Sequence, residues 1–280
     1  MPNISESVDI LQKHLVPICA VFDKDGKNVV SVATSFVVSI ENRWFFVTAG
    51  HVAEEINGFL TDASFQLLKT FLYDSGGFKA SYNDPIPFDL TPETFIILGN
   101  ENTVDYAVIH VEDYYRRLLE KNGIEPIYEQ VWRSPPEAPE FYKLLGIPKQ
   151  LISIERNNDP KRTVLSLGIT ATQHHVTHSP ARPSELKETK YPRWYGHIKS
   201  DFNIKGVSGG PIFAFKRNAQ NEPRYWLVGI QSAWHPSTKA IAACPAKILC
   251  EYIADIVKQC EKLTQANQAN PADAKSRATD

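Results

Sequence analysis

Three short segments of this chain hold the residue types that acyl-transfer chemistry needs. In Gly206-Val207-Ser208-Gly209-Gly210-Pro211 a serine sits in a glycine-rich turn. Such a turn exposes the hydroxyl and leaves backbone N–H groups free to receive a developing oxyanion. Val47-Thr48-Ala49-Gly50-His51-Val52 carries a histidine that can take a proton from an alcohol. Val104-Asp105-Tyr106-Ala107-Val108-Ile109 opens a strand with a carboxylate that can orient an imidazole. In chain order the groups are His51, Asp105 and Ser208, with 54 residues between the first two and 103 (208 − 105) between the last two. Asp113 and Asp89 are the alternative carboxylates, but neither leads an apolar strand as cleanly.

Positioning three distant side chains requires a sizeable packed scaffold. The 280 residues are 42% hydrophobic and 22% charged, which predicts a core and argues against wholesale disorder. A formal net charge of −2 gives no broad attraction to nucleic acid or to an anionic membrane. Nineteen prolines and fourteen glycines suit many short strands joined by turns. The N-terminus has neither a basic start nor an apolar run, so no secretory signal is read and the expected location is cytoplasmic. Cys19, Cys244, Cys250 and Cys260 lack disulfide or metal-ligand spacing and are expected to be reduced thiols.

The element pattern is β-rich between two helices. Ile4, Val8, Leu11 and Leu15 predict a short helix within an N-terminal extension, residues 1–15. Asp25-Gly26 and Glu41-Asn42-Arg43 read as turns between strands, and Val52–Ile56 as a brief helical turn after the histidine. Residues 16–125 form a first β unit and residues 126–245 a second, with their border in the proline-dense stretch around 115–140. Residues 173–193 are polar and read as a surface loop. Ala246–Leu263 has helical apolar spacing, and 264–280 reads as a disordered tail.

The three segments, taken in order, resemble the chymotrypsin-like (trypsin-like) serine peptidases, in particular bacterial trypsin-like domains without zymogen activation. Thr48-Ala49-Gly50-His51 is similar to the family's histidine motif, Asp105-Tyr106-Ala107-Val108 to its aspartate strand, and Gly206–Pro211 to its serine motif. The resemblance implies an all-β fold of two six-stranded antiparallel β-barrels, with His51, Asp105 and Ser208 in the cleft between them. It implies that the N–H groups of Gly206 and Ser208 form the oxyanion hole. Val207 stands where secreted members carry the aspartate that pairs with a newly cut N-terminus, so other contacts must hold the turn. The specificity pocket falls at Phe202, or at Asp201 with a one-residue shift. Its wall is at Ser232-Ala233-Trp234, where Trp234 replaces a usual glycine and favours small side chains.

His174, His175 and His178, with Asp159 nearby, could suggest zinc, but their surroundings read as strand or loop and no fourth ligand is evident. The basic stretch Lys187–Arg193 reads as a solvated loop. The function expected is a serine endopeptidase without cofactor or metal, acting on protein or peptide substrates, with a regulatory protein partner expected because an unrestrained intracellular protease harms its host. The alternatives are a degenerate domain that binds peptides or scaffolds a partner, and an esterase or transferase using the same groups.

Overall fold

The computed structural model describes residues 7–77, 85–100, 102–159, 162–199 and 201–269. Apolar, β-branched segments punctuated by tight turns dictate the first half. Strands β1 (Ile18–Lys24) and β2 (Lys27–Ala33) are joined by Asp25-Gly26, both at positive φ (53° and 75°). Strands β3 (Phe36–Ile40) and β4 (Arg43–Thr48) are joined by Glu41-Asn42 at φ 49° and 61°. Two consecutive left-handed residues match the right-handed strand twist, and this sets both hairpin registers.

Helix α2 (Gly50–Thr61) leads to β5 (Gln66–Leu72), β6 (Ile86–Pro87), β7 (Ile96–Leu98) and β8 (Tyr106–Val111). The eight strands form two four-stranded antiparallel sheets, ordered β2-β1-β5-β6 and β3-β4-β8-β7. Ile18, Ala20 and Phe22 of one sheet meet Val37, Trp44, Phe46 and Ile109 of the other in a common core. The expected first six-stranded barrel is thus observed as a pair of packed sheets.

After α3 (Asp113–Lys121) and α4 (Glu129–Trp132), the second half closes into a barrel. Its strands are β9 (Phe141–Gly146), β12 (Thr172–Ser179), β13 (Trp194–Ile198), β14 (Pro211–Arg217), β15 (Pro223–His235) and β16 (Ala240–Pro245). The order round the barrel is β12-β13-β16-β15-β14-β9, and β10 (Ile152–Asp159) with β11 (Arg162–Ile169) form a separate hairpin. A second apolar cluster joins Phe36, Val47 and Tyr106 of the first half to Phe213, Leu227 and Ile230 of the second.

Helices frame the strands and correct several expectations. Helix α1 is Ser7–Gln12, with Leu11 fully buried; residues 1–6 lie outside the described residues. Helix α2 runs twelve residues rather than a brief turn, because Ala53 and Ile56, with Val52, Phe59 and Leu60 beside them, give it a continuous apolar face. Thr172–Ser179 is strand, not loop: only His174 and Val176 need face inward, so overall polarity concealed the pattern. Helix α5 (Ala246–Ala269) extends six residues past the expected end, since an established helix propagates cheaply into Thr264–Ala269. Residues 270–280 lie outside the described residues. All four cysteines are free thiols, three of them buried. Among the described residues no helix is long and apolar enough to cross a membrane, and no group of metal-ligating side chains assembles.

Candidate active site

Strand pairing brings the histidine and the aspartate together. The β4–β8 ladder ends with Thr48 opposite Ala107, so the chain leaving β4 and the chain entering β8 share one sheet end. His51 lies in the first turn of α2 and Asp105 immediately precedes β8. The fit admits only glycine between strand and histidine: a Cβ on Gly50 would stand 2.3 Å from the Gly99 carbonyl oxygen and 3.0 Å from Asp105 Oδ1.

Asp105 has no exposed surface, yet its carboxylate is well served. The His51 backbone N–H donates to Oδ1 at 2.8 Å, and His51 Nδ1 lies 2.8 Å from Oδ2. The Ser232 hydroxyl also donates to Oδ2. Burial alone would raise the Asp105 pKa. The hydrogen bond and charge of His51 outweigh it, helped by Ser232 and the His51 amide, so the carboxyl titrates below the ordinary aspartate value. An ionised carboxylate only accepts, so His51 carries its proton on Nδ1 and Nε2 is the basic nitrogen of the neutral ring.

The serine turn docks through Gly209 on the strand end that leads to His51. Gly209 has φ +88°, and a Cβ there would stand 2.2 Å from Thr48 Oγ1, 2.5 Å from the Thr34 carbonyl oxygen and 3.0 Å from Ala49 N. The residue after Ser208 therefore rests on the segment that ends in His51. Gly209 N–H donates to the Gln231 carbonyl and Gln231 N–H to the Gly210 carbonyl, each at 2.8 Å. Gln231 precedes Ser232, so the strand that braces the serine turn also reaches Asp105. Ser208 is half-buried, and His51 is 28% exposed at its side chain.

Two carbonyls of the turn are pinned. Lys149 N–H donates to the Lys205 carbonyl at 2.7 Å, and Gly210 N–H to the Val207 carbonyl at 2.8 Å. In a planar trans peptide the N–H points opposite the C=O, so the N–H groups of Gly206 and Ser208 face away from those contacts. Among the described residues neither is given to a carbonyl. Two oriented donors flanking a serine are what an oxyanion requires.

The expected pocket residues separate. Phe202 is half-buried, packs against the barrel core and lies 5.4 Å from the His174 ring. Asp201 has a side chain 97% exposed and pairs with Lys239, so the structure does not bring it inside. Ala233 and Trp234 line a cleft of about 170 Å³ facing Glu185, Leu186 and Arg193. Ser232 borders that cleft too, but its hydroxyl serves Asp105. Asp113 begins α3 and Asp89 is exposed, whereas Asp105 is the carboxylate at His51 Nδ1. The three histidines lie on β12, where His174 is buried against Thr172 Oγ1 at 2.8 Å and His175 and His178 are exposed.

Sequence reading missed the Ser232 link to Asp105 and two further contributors. Arg193 donates to the Thr103 carbonyl at 2.6 Å and to Cys244 Sγ, bracing the segment before Asp105, although it lies in a stretch that reads as solvated. Gln231 is 1% exposed and its Oε1 has no partner among the described residues. Nothing in their local sequence distinguishes these two side chains; only the pairing of strands does.

No protein-family model matches the chain, and no curated protein matches it. Solved structures give distant likenesses. A thermostable serine protease, AL20, from an extremophilic microorganism is 14% identical with a TM-score of 0.43, over 84% of this chain and 91% of that one. Protease Anisep from Arthrobacter nicotinovorans is 16% identical with a TM-score of 0.40, over 83% and 90%. Catalytically active tobacco etch virus protease in complex with product is 12% identical with a TM-score of 0.41, over 91% and 87%. These overlaps are loose in sequence and in space.

Proposed function

We propose that the chain is a serine endopeptidase of chymotrypsin-like design, its two packed sheets standing for the first barrel and its closed barrel for the second. The observation that carries this reading is the buried Asp105–His51 pair, with the Ser208 turn seated through Gly209 on Thr48-Ala49. Ser208 Oγ attacks the scissile carbonyl carbon while His51 Nε2 takes its proton. Gly206 and Ser208 N–H groups receive the tetrahedral oxyanion. His51 returns the proton to the departing amine, leaving an acyl-serine. Water, deprotonated by the same nitrogen, then releases the acid.

The nucleophile position holds an alcohol, which favours the serine class over the cysteine class. Phe202, the position the family resemblance gives to the pocket base, would favour cleavage after apolar or small side chains. A regulatory protein partner and a reducing cytoplasmic setting belong to the same proposal, the latter supported by the four unpaired thiols. A fluorophosphonate probe is expected to modify Ser208 in the intact protein and to leave Ser208→Ala unmodified. Absence of any label on folded native protein would overturn the assignment.

A further inference from the structure

We infer that Thr34, in the link between β2 and β3, is the residue that sets the oxyanion turn; this rests on the peptidase reading above. Thr34 is completely buried, and its hydroxyl is used in both directions. Oγ1 donates to the Gly206 carbonyl at 3.1 Å and accepts the Ile147 N–H at 3.1 Å. Its own carbonyl accepts from Thr48 Oγ1 at 2.8 Å. One residue from the first half thus joins three segments: its hydroxyl holds the loop after β9 and the turn before Ser208, and its carbonyl the strand end before His51.

Gly206 is the residue whose orientation matters. It has φ +99°, and a Cβ there would stand 2.8 Å from Lys149 N, so nothing bulkier fits. Two peptide planes meet at Gly206. The plane before it is held by Lys149 N–H on the Lys205 carbonyl. The plane after it is held by the Thr34 hydroxyl on the Gly206 carbonyl and, at its other end, by the Val207 N–H on the Ile204 carbonyl at 3.0 Å. With both carbonyls fixed, the Gly206 N–H has one direction, away from Lys149. Release the Lys205 carbonyl and that plane can turn its N–H away from the reacting carbonyl; release the Gly206 carbonyl and the glycine φ joining the two planes can relax, carrying the same donor off line.

Val207 cannot make an ion pair with a chain terminus, so the turn needs an internal anchor. The Thr34 hydroxyl is that anchor, and the turn is competent without proteolytic activation. Thr34 touches no substrate atom; it is a positioning residue acting through Gly206.

The test uses the intact chain and p-nitrophenyl acetate, an activated ester that demands little of the specificity pocket. Thr34→Val keeps the shape and removes the hydroxyl; Thr34→Ser keeps the hydroxyl. Removing an oxyanion donor lowers kcat by about 10²–10³, so misdirecting one is expected to lower kcat roughly 30-fold in Thr34→Val, with KM unchanged within about threefold. Thr34→Ser is expected to stay within about threefold of native. Lys149→Pro, at the first position of a short turn where proline is tolerated, removes the other anchor and is expected to repeat the kcat loss even if Thr34→Val fails to fold. Folded Thr34→Val with native kcat, or equal losses in Val and Ser variants, would overturn the inference while leaving the peptidase reading intact. Native protein inert toward both the ester and the fluorophosphonate would overturn the peptidase reading, and this inference with it.

Discussion

A carboxylate with no solvent contact survives in a fold only when donors replace the water it has lost. Asp105 has three, from the His51 ring, the His51 amide and the Ser232 hydroxyl. Asp105→Asn would present an amide to Nδ1 and favour the wrong imidazole tautomer. Its kcat is expected to fall about 10⁴-fold with little change in KM, measured by ester hydrolysis. Ser232→Ala deletes one charge-assisted bond and is expected to lower unfolding free energy by about 2 kcal/mol at pH 7, measured by denaturant titration. Gln231 gives the opposite sign: its Oε1 is buried without a partner, so Gln231→Met is expected to raise stability by about 1 kcal/mol.

Elements deliver these side chains by ending at the same place. Strand β4 stops at Thr48, β8 starts at Tyr106, and the serine turn enters β14 at Pro211, all around the Gly209 contact. Gly209→Ala would force a Cβ onto Thr48 Oγ1 at 2.2 Å and hold a non-glycine residue at φ +88°. Circular-dichroism melts are expected to show a loss of about 3 kcal/mol. Much of this level was legible in sequence. The two hairpin turns, the strand leading to His51 and the strand after Asp105 follow from local turn chemistry and short runs of aromatic and β-branched residues. What was hidden has a common cause. Ser232 reaching Asp105 and Arg193 reaching Thr103 are contacts between residues 127 and 90 positions apart, and only strand order decides such pairs. The first-half sheet pair was equally hidden, since strand number is local but barrel closure is not.

At the scale of the whole molecule, the two halves share a core and a buried polar strap. His14 is 3% exposed; its Nδ1 lies 2.7 Å from the Glu125 carbonyl and its Nε2 2.8 Å from the Tyr225 hydroxyl. Burial pushes its pKa down from 6.5 to about 4, with Lys13 acting in the same direction and the Glu125 carbonyl bond opposing. Above pH 6.5 the ring is neutral folded or unfolded and contributes no pH dependence. As pH falls from 6.5 to 4 the unfolded chain takes the proton first, so folded stability drops by up to about 3 kcal/mol. Melting temperature is expected to fall across that window in native protein and to fall less in His14→Gln. The sequence showed only a helical extension here, because a lone histidine carries no sign of whether it will be buried.

Helix α5 follows directly from β16, and its Leu249, Cys250, Ile253 and Val257 close the core shared by both halves. Tyr106, the residue after Asp105, donates its hydroxyl to the Pro245 carbonyl at 2.8 Å, where that helix begins. During synthesis, then, a nascent chain can have residues 51, 105 and 208 outside the ribosome and still lack the helix that completes the core behind them. On the peptidase reading, hydrolysis is expected only once residues 249–257, in the first half of that helix, have packed onto the shared core.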